Sequence, residues 1–325
     1  MSPPKRRWRA LLALAASAVA LPLVTAQAAT PPPYPGLPPG EGAQWGGVAQ
    51  RGIASSGRAQ QWFYVPANVA TADVVASAIP NPEPGVNFRI LNTNNAFFVS
   101  PPGSSHDYGD LAPVVVRSLA FGAIPVQVTV HINQQRNADG TPVPIKLSTQ
   151  EDQLKTVEGE QQPRWTLYDS SATAKLELRL SDLSIDGQPV PLGPACRPVR
   201  ASDLVLRGEG YTNVATIDRA ALTSTVAGLQ RYYAAGGGGR LTGNVDIPPF
   251  AGCRHGTEDL SPLLTATISG PDNPLVFQLS GPRCAGREPL KGIAPGDGAK
   301  LSACGFTQED PTYQTMDLLR LPSRD

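Results

Sequence analysis

Histidine is scarce, three in 325 residues, and no two of the four cysteines stand in a C-x-x-C pair. Structural zinc sites need such pairs at close spacing, so none is expected. No G-x-S-x-G turn occurs, which argues against an α/β-hydrolase nucleophile elbow. The glycines 236 to 239 follow a helical pattern and lead into a strand, the reverse of a phosphate-binding loop, and no Gly-Lys-Ser/Thr follows them. No motif calls for a cofactor, and none is expected. Beyond residue 24 no apolar run approaches the ~20 residues that span a bilayer. Positive charge is also in short supply. Setting aside Lys5, Arg6, Arg7 and Arg9 leaves 23 of the 27 basic residues against 27 acidic ones. A mildly acidic surface without basic runs is a poor start for gripping phosphate backbones, so nucleic acid is not an expected partner.

What is present begins with an export signature. Lys5, Arg6, Arg7 and Arg9 precede an apolar stretch from Ala10 to Val24, then the small-residue end Ala26-Gln27-Ala28. This predicts a signal peptide over 1–28, a secreted or cell-wall-associated product, and no transmembrane segment once the signal is removed. Residues 29–58 are rich in Pro, Gly and Ser and are expected to be a linker.

Cys196, Cys253, Cys284 and Cys304 all follow the signal. An even count in an exported chain predicts two disulfides, with three pairings open. The favoured one is Cys253–Cys284 with Cys196–Cys304. It follows from a hairpin expected at 263–269 and 274–280, whose open end would lie near Cys284.

Strand signals dominate. Val126, Val128, Val130 and Ile132 alternate with Gln127, Thr129 and His131. Leu176, Leu178 and Leu180 alternate with Lys175, Glu177, Arg179 and Ser181, and Asp186-Gly187 turns the chain. Asn92-Thr93-Asn94-Asn95 and Gly270-Pro271-Asp272-Asn273 read as turns. Pro142 and Pro144 place the strand at 143–147 on an edge. The polar, acidic stretch 149–162 reads as a surface loop or a boundary between lobes. Leu222, Val226, Leu229 and Tyr233 form one helical face, capped by Asp218. The fold class expected is all-β, an antiparallel β-sandwich, one elongated or two stacked, with one short helix. The expected lobes are 59–160 and 161–305, followed by a tail at 306–325.

Three stretches carry chemistry-bearing residues. Ser104-Ser105-His106-Asp107 holds triad types in a row, but neighbours in one loop do not face each other as the mechanism needs, so a solvated loop is expected. His131 alternates out of a strand face and is expected at the surface or a rim. His255, Glu258 and Asp259 are of metal-ligand type, set against a loop-shaping role beside Cys253. No catalytic residue is assigned.

The runs Pro248-Pro249-Phe250-Ala251-Gly252-Cys253, Glu258-Asp259-Leu260-Ser261-Pro262-Leu263-Leu264-Thr265-Ala266 and Ile268-Ser269-Gly270-Pro271-Asp272-Asn273 carry a resemblance, with Leu192-Gly193-Pro194-Ala195-Cys196 upstream. Over about residues 173–284 the chain resembles uncharacterised secreted, β-rich proteins of actinobacteria. The resemblance implies an exported envelope protein and transfers no catalytic residue. The expected function is therefore binding or structural contact with an extracellular protein, a glycan or a cell-wall component. The alternatives are a secreted hydrolase whose site assembles only in three dimensions, or a carrier of an apolar ligand. Ser, His and Asp within hydrogen-bond reach beside a cleft would favour the hydrolase, and exposed Trp45, Trp62 or Tyr108 would favour glycan or partner binding.

Overall fold

The computed structural model describes residues 44–74, 76–120, 122–155, 158, 164–208, 211–214, 233–234, 238–280, 283–286 and 289–292. The expected signal, the first half of the expected linker, the tail and Cys304 lie outside them. The strands are β1 (Gln44–Ser56), β2 (Gln61–Val74), β3 (Ala76–Pro80), β4 (Val86–Phe98), β5 (Val114–Ala120), β6 (Ile124–Gln134), β7 (Ile145–Leu154), β8 (Arg164–Ile185), β9 (Gln188–Val190) and β10 (Arg197–Pro198). They continue with β11 (Ser202–Arg207), β12 (Tyr211–Val214), β13 (Tyr233–Ala234), β14 (Gly238–Ile247), β15 (Phe250–Ala251), β16 (Arg254–His255), β17 (Glu258–Asp259), β18 (Gly270–Ser280) and β19 (Arg283–Gly286). One short helix, α1 (Ser261–Ile268), precedes β18.

The protein is all-β, as the alternation implied, and fifteen strands join one antiparallel sheet. Eight of them close on themselves. The order runs β11, β14, β18, β1, β2, β4, β7, β8, and β8 pairs back to β11. Closure happens at Ser171 to Thr173, where β8 has β7 on one edge and β11 on the other. The two faces of the expected sandwich are thus joined into a circuit. Strands on both sides of residue 160 take part, since β1 pairs β18 and β7 pairs β8.

All eight circuit strands contribute to one buried cluster, among them Val48, Val65, Phe98, Leu147, Leu176, Leu206, Leu241 and Leu275. Small residues let the strands approach. A Cβ on Gly243 would sit 2.0 Å from the Val205 carbonyl oxygen, so only glycine fits where β14 meets β11. Beyond the circuit, β8 runs on to pair with β6, β6 pairs β5, and β9 covers the other edge of β8. These four strands form a side sheet.

Several local expectations fail for identifiable reasons. The hairpin at 263–269 is α1 instead. Leu260, Leu264 and Ile268 recur every four residues and pack on the core, and Pro262 suits a first helical turn. The expected turn at 270–273 is strand. Asn273 is buried, donates to the carbonyls of Val245 and Gly270, and accepts from the Gly57 N–H. The asparagine run 92–95 lies inside the single strand β4. Asp73 accepts from the Asn95 backbone and side chain, and the Asp73 carbonyl accepts from Asn94.

The expected linker is strand from 44 to 56, because Val48 and Ala54 reach the core. The strand expected on an edge is internal. Pro142 and Pro144 lie before β7, which pairs β4 and β8 throughout. The acidic stretch after 149 continues β7 to Leu154, and Asp152 is fully buried against Arg89. Tyr233 belongs to β13, not to a helix, and the rest of that expected helix lies outside the described residues.

The expected cysteine pairing is also overturned. Cys196 bonds Cys253, and both are buried. The premise of the other pairing was the hairpin that α1 replaces. β10 instead pairs β15, Arg197 opposite Ala251, which sets the two cysteines side by side. Gly252 makes this contact possible: its φ is +71°, and a Cβ there would meet the Ala195 carbonyl oxygen at 2.6 Å. The Cys284 side chain lies outside the described residues.

Candidate functional site

The side sheet presents its polar stripes on one face. Register places His131 opposite Arg179, Thr129 opposite Ser181, and Gln127 opposite Ser184. Between the last two pairs β6 advances two residues while β8 advances three, so β8 carries a bulge. Asp182 takes up the extra residue with φ +52°, a left-handed conformation that Asp tolerates better than most side chains. Arg117 on β5 donates to the Gln127 side-chain oxygen at 3.0 Å and extends the row.

After β8, Asp186 and Gly187 turn the chain with positive φ, as their sequence implied, and β9 returns along β8. Pro189 lies opposite Ser184. The segment through Pro194 then forms a wall above the polar face. It is held from below, since Leu192 is buried, its carbonyl accepts from the Arg254 N–H at 2.8 Å, and the bridged Cys196 follows. Between wall and sheet lies a cleft of about 500 Å³, bordered by Gln127, Arg179, Ser181, Asp182, Leu183, Ser184 and the 189–194 wall.

His131, Ser181 and Asp182 are in contact beside this cleft. His131 Nε2 lies 2.9 Å from Ser181 Oγ, and Ser181 Oγ donates to Asp182 Oδ2 at 2.7 Å. Hydrogen bonds from Ser181 and Thr129 hold the Asp182 carboxyl below the usual carboxylate range. Burial pushes His131 below its ordinary value, helped by the Arg179 charge and opposed by Asp182. At neutral pH the row is a neutral imidazole, a hydroxyl and a carboxylate.

A serine has one hydroxyl proton, and the charge-assisted contact to the carboxylate claims it. His131 Nε2 then donates to Ser181 Oγ. That is the reverse of nucleophile activation, in which the imidazole accepts the serine proton and the carboxylate orients its other nitrogen. The row fixes the Asp182 carboxylate in place. Arg179 has neither a hydrogen bond nor an ion pair among the described residues, so its guanidinium is available to a ligand.

The other candidates separate. His106 Nδ1 meets both Ser105 Oγ, at 3.0 Å, and Asp110 Oδ2, at 3.4 Å. One nitrogen cannot link acid and nucleophile. Asp110 is also paired with Arg136, and Asp107 with Lys291. His255 stands opposite Glu258 in the exposed β16–β17 pair, while Asp259 accepts from the Ser261 N–H. Among the described residues no group of three His, Cys, Asp or Glu could hold a metal ion.

Trp45 and Tyr108 are not exposed platforms. They are 3% and 5% accessible and pack with Phe97, Trp45 edge-on at 6.5 Å. Sequence reasoning placed Arg179 and Ser181 on one strand face, and Gln127, Thr129 and His131 on another. It missed that the two faces are one, and it missed Asp182, whose only local signal is the break in alternation after Leu180. No helix among the described residues is long and apolar enough to cross a membrane. No protein-family model, no curated protein and no solved structure matches the chain.

Proposed function

We propose that the chain is an exported binding module of the cell envelope or extracellular space, with the cleft beneath residues 189–194 as its binding site. The observation that carries this reading is Arg179, without a hydrogen bond or ion pair among the described residues, beside the fixed Asp182 carboxylate, under a wall anchored by the Cys196–Cys253 bridge. Export is supported by the basic, apolar and small-residue order of residues 5–28 and by a buried disulfide, which persists in oxidising compartments. The likeness of residues 173–284 to secreted actinobacterial proteins points the same way.

The test of location is N-terminal sequencing of the material recovered from the culture medium or wall fraction, which should begin at Ala29. The test of binding is a titration of the ¹⁵N-labelled mature chain with a muramidase digest of cell wall. Amide shifts confined to 179–184 and 189–194 support the cleft, and their absence sinks it.

The contact between His131 and Ser181 favours a second reading, hydrolysis with Ser181 as nucleophile. A fluorophosphonate probe distinguishes the two. The proton arrangement described above predicts no labelling, whereas stoichiometric labelling mapped to Ser181 would establish the hydrolase.

A further inference from the structure

We infer that the cleft takes a small zwitterionic ligand, the end of a peptide or an amino acid that offers both a carboxylate and an ammonium group. This rests on the binding reading above and adds the chemistry of the ligand. Arg179 and Asp182 are three residues apart on β8, and a regular strand would send them to opposite faces. The bulge and the left-handed Asp182 turn both toward one cleft. A non-glycine residue held in that conformation is uncommon, and such positions collect at ligand sites.

The two charges do not pair with each other. Asp182 accepts from Ser181 and Thr129 and lines the cleft, while Arg179 makes no hydrogen bond or ion pair among the described residues. Gln127, whose side-chain oxygen accepts from Arg117, also lines the cleft. A guanidinium forks onto a ligand carboxylate, and a carboxylate accepts from an ammonium. The proline wall supplies apolar cover for a small side chain. A volume of about 500 Å³ suits a dipeptide. A neutral sugar could use the same donors, but it gives no reason to keep opposite charges side by side and apart.

The experiment titrates the ¹⁵N-labelled mature chain with L-alanyl-L-alanine, its N-acetyl form, its C-terminal amide, the doubly capped form, and maltose. The free dipeptide should shift amides at 179–184 and 189–194. Each single cap should weaken binding about tenfold, the scale of one lost charge-assisted contact. In Arg179→Gln the penalty for the amide should vanish, and in Asp182→Asn the penalty for the acetyl group should vanish. Asparagine also accepts the left-handed conformation, so that variant keeps the bulge. Equal binding of free and doubly capped dipeptide overturns the zwitterion. Maltose shifting the cleft where the dipeptide does not overturns it too, while leaving the binding module standing. A cleft that responds to none of these probes, nor to the wall digest, removes both.

Discussion

Arg89 and Asp152 show how a single residue can mislead a reading of sequence. Asp152 sits in an acidic run, yet it is fully buried, and Arg89 grips both its oxygens at 2.8 Å. Glu83 adds a third contact at 2.7 Å, and the hydrogen bond that Arg89 donates to Asp152 raises the Arg89 pKa further above its ordinary value. Arg89→Met leaves a buried carboxylate without its partner. A loss of about 3 kcal/mol in urea unfolding is expected. Gly252→Ala should cost about 1–3 kcal/mol by thermal melting, because the added methyl meets the Ala195 carbonyl and the backbone is left-handed. His131 gives a pH dependence. Its folded pKa lies below the ordinary 6.5, so as pH falls the unfolded chain takes the proton first. Its contribution to stability is full above pH 6.5 and is lost as the pH drops from there toward the folded value. Asp182 and Asp259 lie below the ordinary 3.8, so their contribution is present above that pH and lost beneath it. Melting temperature should therefore fall on going from pH 7.5 to 5, and His131→Gln should flatten that step. Alternation announced which face His131 occupies. It could not announce that Asp182 would break step, because a bulge depends on the partner strand.

At the scale of the element, the strands with clean two-residue alternation were legible. β6 and the middle of β8 lie where Val126 to Ile132 and Leu176 to Leu180 put them. The failures came where one pattern served two structures. Leu264, Ala266 and Ile268 alternate, but Leu260, Leu264 and Ile268 also repeat at helical spacing, and packing chose the helix. Asparagine runs read as turns because Asn favours them in isolation, but Asp73 and the Val245 carbonyl satisfy these side chains inside strands. The disulfide is a further element-level feature. Non-reducing peptide mapping should link the peptides containing Cys196 and Cys253. Replacing both with serine should cost about 2–5 kcal/mol in urea unfolding. Because Cys196 ends the 189–194 wall, the same variant should also weaken dipeptide binding at the cleft.

For the molecule as a whole, composition and alternation were enough to give the all-β class, while the short helix of the described residues stands at Ser261–Ile268, where a strand was expected. They did not give the closure of the sheet, since no local signal tells β8 that it will carry β7 and β11 on opposite edges. Native-state hydrogen exchange should divide accordingly. Amides in β1, β2, β14 and β18 should share a high protection, while β5, bonded to a strand only through β6, should exchange earlier. A ring has no loose end from which to unzip, so global opening has to rupture a seam. The seam is narrow: Ala172 sits between Leu147 on one side and Leu206 on the other. One imino acid there, Ala172→Pro, would delete a rung and convert a hoop into a ribbon with two sticky margins, a molecule whose failure would be aggregation before it was loss of any ligand.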